Sequence, residues 1–231
     1  GHNNPAYAAM IESMDDSIGA VQATLKRLKL DDNTIVIFFA DNGGHAGVTS
    51  NAPLRGSKGM LYEGGIREPL AIKWPGVTKP GSTCHEPVIA VDFYPTLLEI
   101  AGAKRPKNYL LDGVSLTPLL RDASASLGRA ALHWHFPCYL QGYLLRHGPF
   151  RTTPAAAIRM GDWKLIEFFE DGKLELYNLK DDLSEKNDLA KKMPAKTKEL
   201  YTAMLKWRKE TSAPVPTEKN PQYDPKAVFK P

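Results

Sequence analysis

A chain of 231 residues, 42% of them hydrophobic, can build one large cored domain or two small ones, which excludes a disordered tail. Its formal charge of +4 comes from 30 basic and 26 acidic side chains without a basic block, so charge gives no sign of a nucleic-acid surface. No apolar run reaches membrane-spanning length, and the two cysteines, Cys84 and Cys138, lack close metal-binding spacing. One disulfide between them is permitted, and two unpaired thiols fit as well.

The chain opens on Gly1-His2-Asn3-Asn4-Pro5, without an initiator Met or an apolar leader, and this start is read as a cut end. From Tyr7, the positions Met10, Ile11, Met14, Ile18, Val21, Leu25 and Leu28 recur at intervals of three and four, which predicts a long amphipathic helix after Pro5. Asp31-Asp32-Asn33 turns the chain into Thr34-Ile-Val-Ile-Phe-Phe-Ala40. This run has no polar alternation, so it is expected to be a strand buried on both faces, the arm of a crossover unit between parallel strands. It ends on Asp41, Asn42, Gly43 and Gly44, at the sheet rim where open α/β sheets bind ligands. Only Pro69 to Trp74 offers a second good strand nearby, so part of the sheet is expected to be missing.

Between these strands runs a long loop, Gly43 to Glu68, rich in glycine and carrying His45, Arg55, Lys58, Glu63 and Arg67. Pro75-Gly76 and Pro80-Gly81 bracket a surface turn. Val91 to Gly102 reads as a short helix closed by glycine, and Asp112 to Leu120 as a turn into another. Beyond the polar connector at 122–128 the pattern changes. Ala156 to Arg159, Trp163 to Phe169 and Leu174 to Leu179 predict an antiparallel meander. Asp181 to Glu185 is expected to start one covering helix, and Pro194 to about Thr211 to form another with Leu200, Met204, Leu205 and Trp207 facing inward. The tail from Ala213, with Pro214, Pro216, Pro221, Pro225 and Pro231, is expected to be extended.

Asp41 and Asn42 offer carboxylate and carboxamide oxygens, which suit calcium or magnesium, although Asp-Asn-Gly is also an ordinary turn sequence. Lys58, downstream in a basic glycine-rich loop, shifts the balance. An ammonium beside a divalent ion makes a site for a tetrahedral oxyanion, which points to sulfate or phosphate esters.

Asp41-Asn-Gly-Gly44, Pro53-Leu-Arg-Gly-Ser-Lys-Gly59 and Tyr62-Glu-Gly-Gly-Ile-Arg-Glu-Pro69, in this order, resemble the C-terminal part of the sulfatases of the alkaline-phosphatase superfamily. The resemblance continues through Trp74-Pro-Gly76, Val91 to Leu98, Asp112 to Leu116, Gly161 to Leu165 and Glu175 to Leu179, and so covers nearly the whole chain. It implies an α/β fold: residues 1–125 as the C-terminal part of the catalytic α/β core, 126–212 as a small α+β domain with an antiparallel sheet packed on helices, and 213–231 as an extended tail.

The resemblance also implies roles. Asp41 and Asn42 look like two ligands of the family's calcium ion, and Lys58 like the lysine that contacts the sulfate and stabilises charge on the ester oxygens. Arg55 is similar to a motif residue of less defined role and stands as a substrate-binding candidate. Glu63 and Arg67 are expected to pair and hold the loop. The family's nucleophile is a formylglycine hydrate, made from Cys or Ser in a Cys/Ser-x-Pro/Ala-x-Arg motif of the N-terminal half. Neither Cys84 nor Cys138 heads such a motif, so the chain alone is expected to be inactive and to need that half.

His45 follows the ligand pair and is a candidate substrate contact, or a solvent-exposed loop histidine. His133 and His135 alternate on a strand and share one face, with Trp134 and Phe136 on the other, as in a half-buried strand. In related sulfatases a His-Phe/Tyr-Pro run of this type can lie by the pocket. His135 is therefore a candidate substrate contact, and Tyr139, Tyr143, Arg146 and His147 are candidates to grip a sugar. The expected partner is a sulfated small molecule or sugar, and family habit implies export. A phosphonate or phosphate ester hydrolase of the same superfamily and a non-catalytic fragment that associates with another chain are the competing readings.

Overall fold

The computed structural model describes residues 2–105, 107–141 and 150–224. In chain order the elements are helix α1 (Pro5–Arg27), strand β1 (Val36–Phe39), helix α2 (Glu63–Ile66), strand β2 (Leu70–Lys73), helices α3 (Phe93–Ile100) and α4 (Thr117–Arg121), strands β3 (Leu132–Phe136), β4 (Leu140–Gln141), β5 (Phe150–Thr152), β6 (Ala155–Met160), β7 (Trp163–Phe168) and β8 (Leu174–Asn178), and helix α5 (Pro194–Glu210). They fall into two compact units, one of Gly1–Asn4, Asn42–Glu68 and Ala130–Pro231, the other of Pro5–Asp41 and Pro69–Arg129. These units cut across the division expected at 125/126, because Asn42–Glu68 clusters with the C-terminal sheet. No helix among the described residues is long and apolar enough to cross a membrane.

In the unit of Pro5–Asp41 and Pro69–Arg129, α1 begins on Pro5 and carries Lys26 and Arg27 in its last turn, where cations favour the helix dipole. Its apolar stripe is open: none of its residues is buried, and Met10, Ile11, Met14 and Val21 are all exposed. Strand β1 pairs with β2 antiparallel, Ile37 opposite Ile72, and its burial alternates, with Ile37 and Phe39 on the open side. The doubly buried strand between parallel neighbours is thus not formed among the described residues. An apolar strand without a second covering layer keeps one face in solvent.

The start of α3 is held by Asp92, which is fully buried. Arg129 grips its carboxylate in a bidentate pair, Nη1 to Oδ1 and Nη2 to Oδ2, each 2.8 Å. The same oxygens accept the Ile89 and Val114 amides, so one side chain joins the helix start to the turn before α4. Gly113 is required there, since a Cβ would lie 2.1 Å from the Val91 carbonyl oxygen. Cys84 and Cys138 are both exposed free thiols.

In the other unit, β3, β6, β7 and β8 form one antiparallel sheet in that order, so the predicted meander gains β3 as an edge strand. Alternation along the strands makes two faces. Ala156, Ile158, Leu165 and Leu176 pack with Leu200 and Met204 of α5. Ala155, Ala157, Ile166 and Tyr177 pack on the opposite side with Leu61, Tyr62 and Trp134. Leu200 and Met204 face inward as predicted, and Trp207 stacks on His133, but Leu205 is exposed. The helix expected from Asp181 does not form. Instead the Asp182 carboxylate accepts the Lys186 and Asn187 amides at 3.1 and 2.7 Å, and Glu185 takes φ +52°. An aspartate that caps successive amides in this way favours a turn over a helix.

Candidate active site

Asn42–Glu68 is held neck to neck by backbone contacts. The Gly43 amide donates to the Gly65 carbonyl at 3.3 Å, and a Cβ on Gly43 would lie 1.9 Å from the Gly64 carbonyl oxygen. The paired glycines of Asn42-Gly-Gly44 and Glu63-Gly-Gly65 are therefore a close-packing requirement, which only a missing side chain satisfies. Across the loop, the Gly64 amide donates to the Arg55 carbonyl at 2.7 Å.

Lys58 is tied to the start of this loop. Its amide donates to the Gly44 carbonyl at 3.2 Å, and the same carbonyl accepts Asn51 Nδ2 at 2.9 Å. Asn51 Oδ1 in turn accepts the Gly44 amide at 2.9 Å, so the carboxamide braces Gly44 on both sides. Lys58 itself is exposed, and its ammonium has no hydrogen bond or ion pair with any described residue. An unspent ammonium on a pinned backbone is suited to an incoming anion.

Asp41 follows β1, where the Ala40 amide still donates to the Pro69 carbonyl. Its carboxylate is exposed and takes no hydrogen bond from any described residue. Half-buried Asn42 donates from Nδ2 to the Gly43 carbonyl at 3.1 Å, leaving its carbonyl oxygen as an acceptor. Carboxylate and carboxamide oxygens are hard-cation donors by type, and the described residues contain no group of three or more His, Cys, Asp or Glu able to hold a metal ion.

The remaining candidates separate. The His45 imidazole folds into its own turn, Nδ1 accepting the Gly47 amide at 3.0 Å, which fixes Nδ1 as the unprotonated nitrogen. Arg55 turns into the protein: Nη1 donates to Tyr177 Oη at 2.8 Å and the Glu185 carbonyl at 2.9 Å, and its guanidinium lies 4.0 Å over the Tyr62 ring. Burial opposes its charge, but Tyr62, Tyr177 and Glu175 outweigh that and raise its pKa. His135 lies on the α5 face of the sheet, opposite Ala156, with Nε2 2.6 Å from the Pro214 carbonyl and its ring near Phe169 and Trp207. The loop covers the other face, so His135 is not grouped with Lys58. The Tyr139 ring lies tilted against Phe150, centroids 4.7 Å apart, while Tyr143, Arg146 and His147 lie outside the described residues.

Two features escape sequence reasoning. Thr152 of β5 donates its hydroxyl to the Gly59 carbonyl, and a Cβ on Gly59 would meet Arg151 and Leu140, so β4 and β5 back the residue after Lys58. Beneath the loop, Lys164 Nζ sits 2.9 Å from Glu63 Oε1 and 2.8 Å from Glu185 Oε1, all three side chains being buried. Burial raises Glu63, but Lys164, Arg159 and Arg67 together outweigh it and hold that carboxyl below its usual range. Burial keeps Glu185 above the usual range despite Lys164. The expected Glu63–Arg67 contact exists at 3.4 Å, as a minor partner to Lys164.

Residues 2–103 match the Sulfatase family model, and residues 57–210 match the model for the C-terminal domain of N-sulphoglucosamine sulphohydrolase. The chain belongs to the sulfatase family. It matches the C-terminal part of that family, and its fold is the alkaline-phosphatase-like α/β fold of the solved sulfatases. A sulfatase of Formosa agariphila is 41% identical over 84% of this chain and 37% of its own length. Among solved structures, BT4656 in complex with its substrate D-glucosamine-2-N,6-O-disulfate is 29% identical with a TM-score of 0.74, over 93% of this chain and 42% of that one. Ps i-CgsB in complex with k-i-k-neocarrahexaose is 30% identical with a TM-score of 0.77, over 95% and 46%. A phosphonate monoester hydrolase from Silicibacter pomeroyi shares the fold at 25% identity and a TM-score of 0.66, over 91% and 43%. The sulfatase-family chain thus spans less than half the length of each of these proteins.

Proposed function

We propose that this sulfatase-family chain is the C-terminal portion of a calcium-dependent, exported enzyme that hydrolyses sulfate esters of carbohydrates. The observation that carries the reading is the Lys58 amide bonded to the carbonyl of Gly44, two residues beyond Asn42, which ties down the backbone of a lysine whose ammonium has no partner among the described residues. The sugar complexes of the two sulfatase relatives support carbohydrate over aryl sulfate.

In this reading Asp41 and Asn42 would contribute oxygen ligands to a calcium ion, which would supply fixed positive charge toward the ester oxygens. The formylglycine hydrate, supplied by a part of the enzyme outside this chain, would be the nucleophile. Lys58 binds the sulfate group and stabilises the negative charge that grows on its oxygens as the ester bond breaks. Its backbone, tied to the Gly44 carbonyl, fixes the point from which the side chain reaches the ester. This chain alone is expected to be inactive.

The deciding experiment assays the intact protein on carbohydrate sulfates and on matched aryl sulfate and aryl phosphate. Preferred sulfate hydrolysis, lost in Lys58→Ala, supports the reading, and preferred turnover of phosphorus esters favours the phosphonate hydrolase reading that the Silicibacter pomeroyi relative brings in. Calcium should raise the thermal midpoint of the intact protein, and Asp41→Ala should abolish that rise. The third reading, a non-catalytic fragment that pairs with another chain, draws on the exposed apolar residues of α1 and β1. Sedimentation of this chain alone and with the N-terminal half tests it: a monomer indifferent to that half removes it.

A further inference from the structure

Lys58 stands between two shoulders, Arg55 on one side and Glu63 on the other, and a single residue outside the loop reaches both. The Glu185 carbonyl accepts Arg55 Nη1 at 2.9 Å, and Glu185 Oε2 accepts the Glu63 amide at 2.6 Å. Its other oxygen pairs with Lys164, which also binds the Glu63 carboxylate. Glu185 reaches both shoulders from a backbone at φ +52°, a conformation that costs a non-glycine residue energy. The turn is pinned from below, with the Glu185 amide donating to the Asp182 carbonyl at 3.1 Å.

Stability alone does not account for this arrangement. Two carboxylates share one ammonium in a site fully closed to solvent, where well-packed apolar side chains are commonly as stable or more so. What the arrangement does provide is geometry: both shoulders of the loop are fixed to one residue of the turn after β8.

We propose that Glu185 is a positioning residue for Lys58, a latch that holds the loop so that the ammonium meets the sulfate group in register. The proposal rests on the sulfate-ester reading for its catalytic consequence, while the latch itself is readable without activity.

The test uses the intact protein with Glu185→Ala and the milder Glu185→Gln, which keeps an acceptor for the Glu63 amide. Both variants should lose about 10- to 100-fold in kcat/KM at temperatures where they remain folded. In a Lys58→Ala background either substitution should cost less than about twofold more, because its effect passes through Lys58. Leu200→Ala, on the α5 face, should lower the thermal midpoint and leave kcat/KM unchanged. Amide hydrogen exchange should quicken at Lys58 and Gly64 in both Glu185 variants and stay unchanged in α5. Full kcat/KM, a loss that adds to that of Lys58→Ala, or unchanged exchange at Lys58 would overturn the proposal. If the wild-type protein hydrolyses no sulfate ester, the functional reading falls, and the exchange measurement alone decides the latch.

Discussion

Lys164 Nζ on β7 lies 2.9 Å from Glu63 Oε1 at the start of α2, a contact between residues 101 apart in sequence and closed to solvent. It joins the strand core to the turn just beyond Lys58. Replacing Lys164 by Met would leave Glu63 and Glu185 as a buried pair of carboxylates without the ammonium they share, with Arg67 as the remaining ion-pair partner of Glu63. The expected loss is about 3–5 kcal/mol of unfolding free energy, read by urea denaturation. Adding Glu185→Gln should recover part of it by removing one of the two charges. A Lys164→Met variant as stable as the parent would show that the triad is not closed in solution.

Lys58→Ala should behave in the opposite way. Its ammonium holds no described partner, so the fold should stay within about 0.5 kcal/mol of the parent. In the intact protein kcat should fall by about 10²- to 10³-fold on a sulfate ester, as when a donor to developing charge is removed. Retained turnover would take Lys58 out of the chemistry.

His133 stacks on Trp207 with ring centroids 4.6 Å apart and planes inclined by 6°. Burial pushes its imidazole down to about 4. A histidine whose folded pKa is depressed takes up its proton more readily when unfolded. Its effect on stability is therefore flat above about pH 6.5 and destabilising as the pH falls from there toward 4. NMR titration should find the His133 resonances moving near pH 4, and His133→Phe should flatten acid unfolding across that window. A midpoint near 6.5 would mean that the stack is open to water.

Tyr62 and Tyr177 both donate from Oη to Glu175 Oε2, each at 2.7 Å. Burial raises the Glu175 carboxyl, but hydrogen bonds from Lys173, Tyr62 and Tyr177 outweigh it and hold the group below its usual range. A depressed carboxyl stabilises the fold above its unfolded pKa, and that stability is lost as the pH falls through the folded value. Tyr62→Phe should move this loss to higher pH in denaturation curves. An unshifted acid limb would show that the tyrosine contributes nothing to the carboxylate.

Two leucines of α5 separate what the sequence pattern predicts from what packing decides. Leu200 is fully buried and Leu205 is 41% exposed, although spacing along the helix suggested both faced inward. Leu200→Ala should cost about 2–5 kcal/mol and Leu205→Ala well under 1 kcal/mol by the same denaturation measurement.

The local elements were legible because short-range physics sets them. Pro5 and the recurring apolar positions mark α1, the turn glycines Gly161 and Gly172 with φ of +58° and +69° separate β6, β7 and β8, and the glycine pairs mark the loop. The Lys58 motif was legible for the same reason, since its residues are near neighbours in the chain.

Facing and partnership were not legible. The alternation at His133 and His135 assigned them correctly to one side, but only the stacking of α5 decided that this side is the one away from Lys58. Arg55 and Lys58 look alike in the sequence, two cations of one basic loop, and only Tyr62, Tyr177 and Glu185 turn the first inward. The stretch around Glu185 reads as a helix start, and its role as a buried anchor depends on residues more than 120 positions away. The chain by itself determined which segments coil, extend or turn, because torsional preference and apolar periodicity act between neighbours. Tertiary structure decided which charges are spent inside and which stay exposed, because that depends on partners brought together by sheet register.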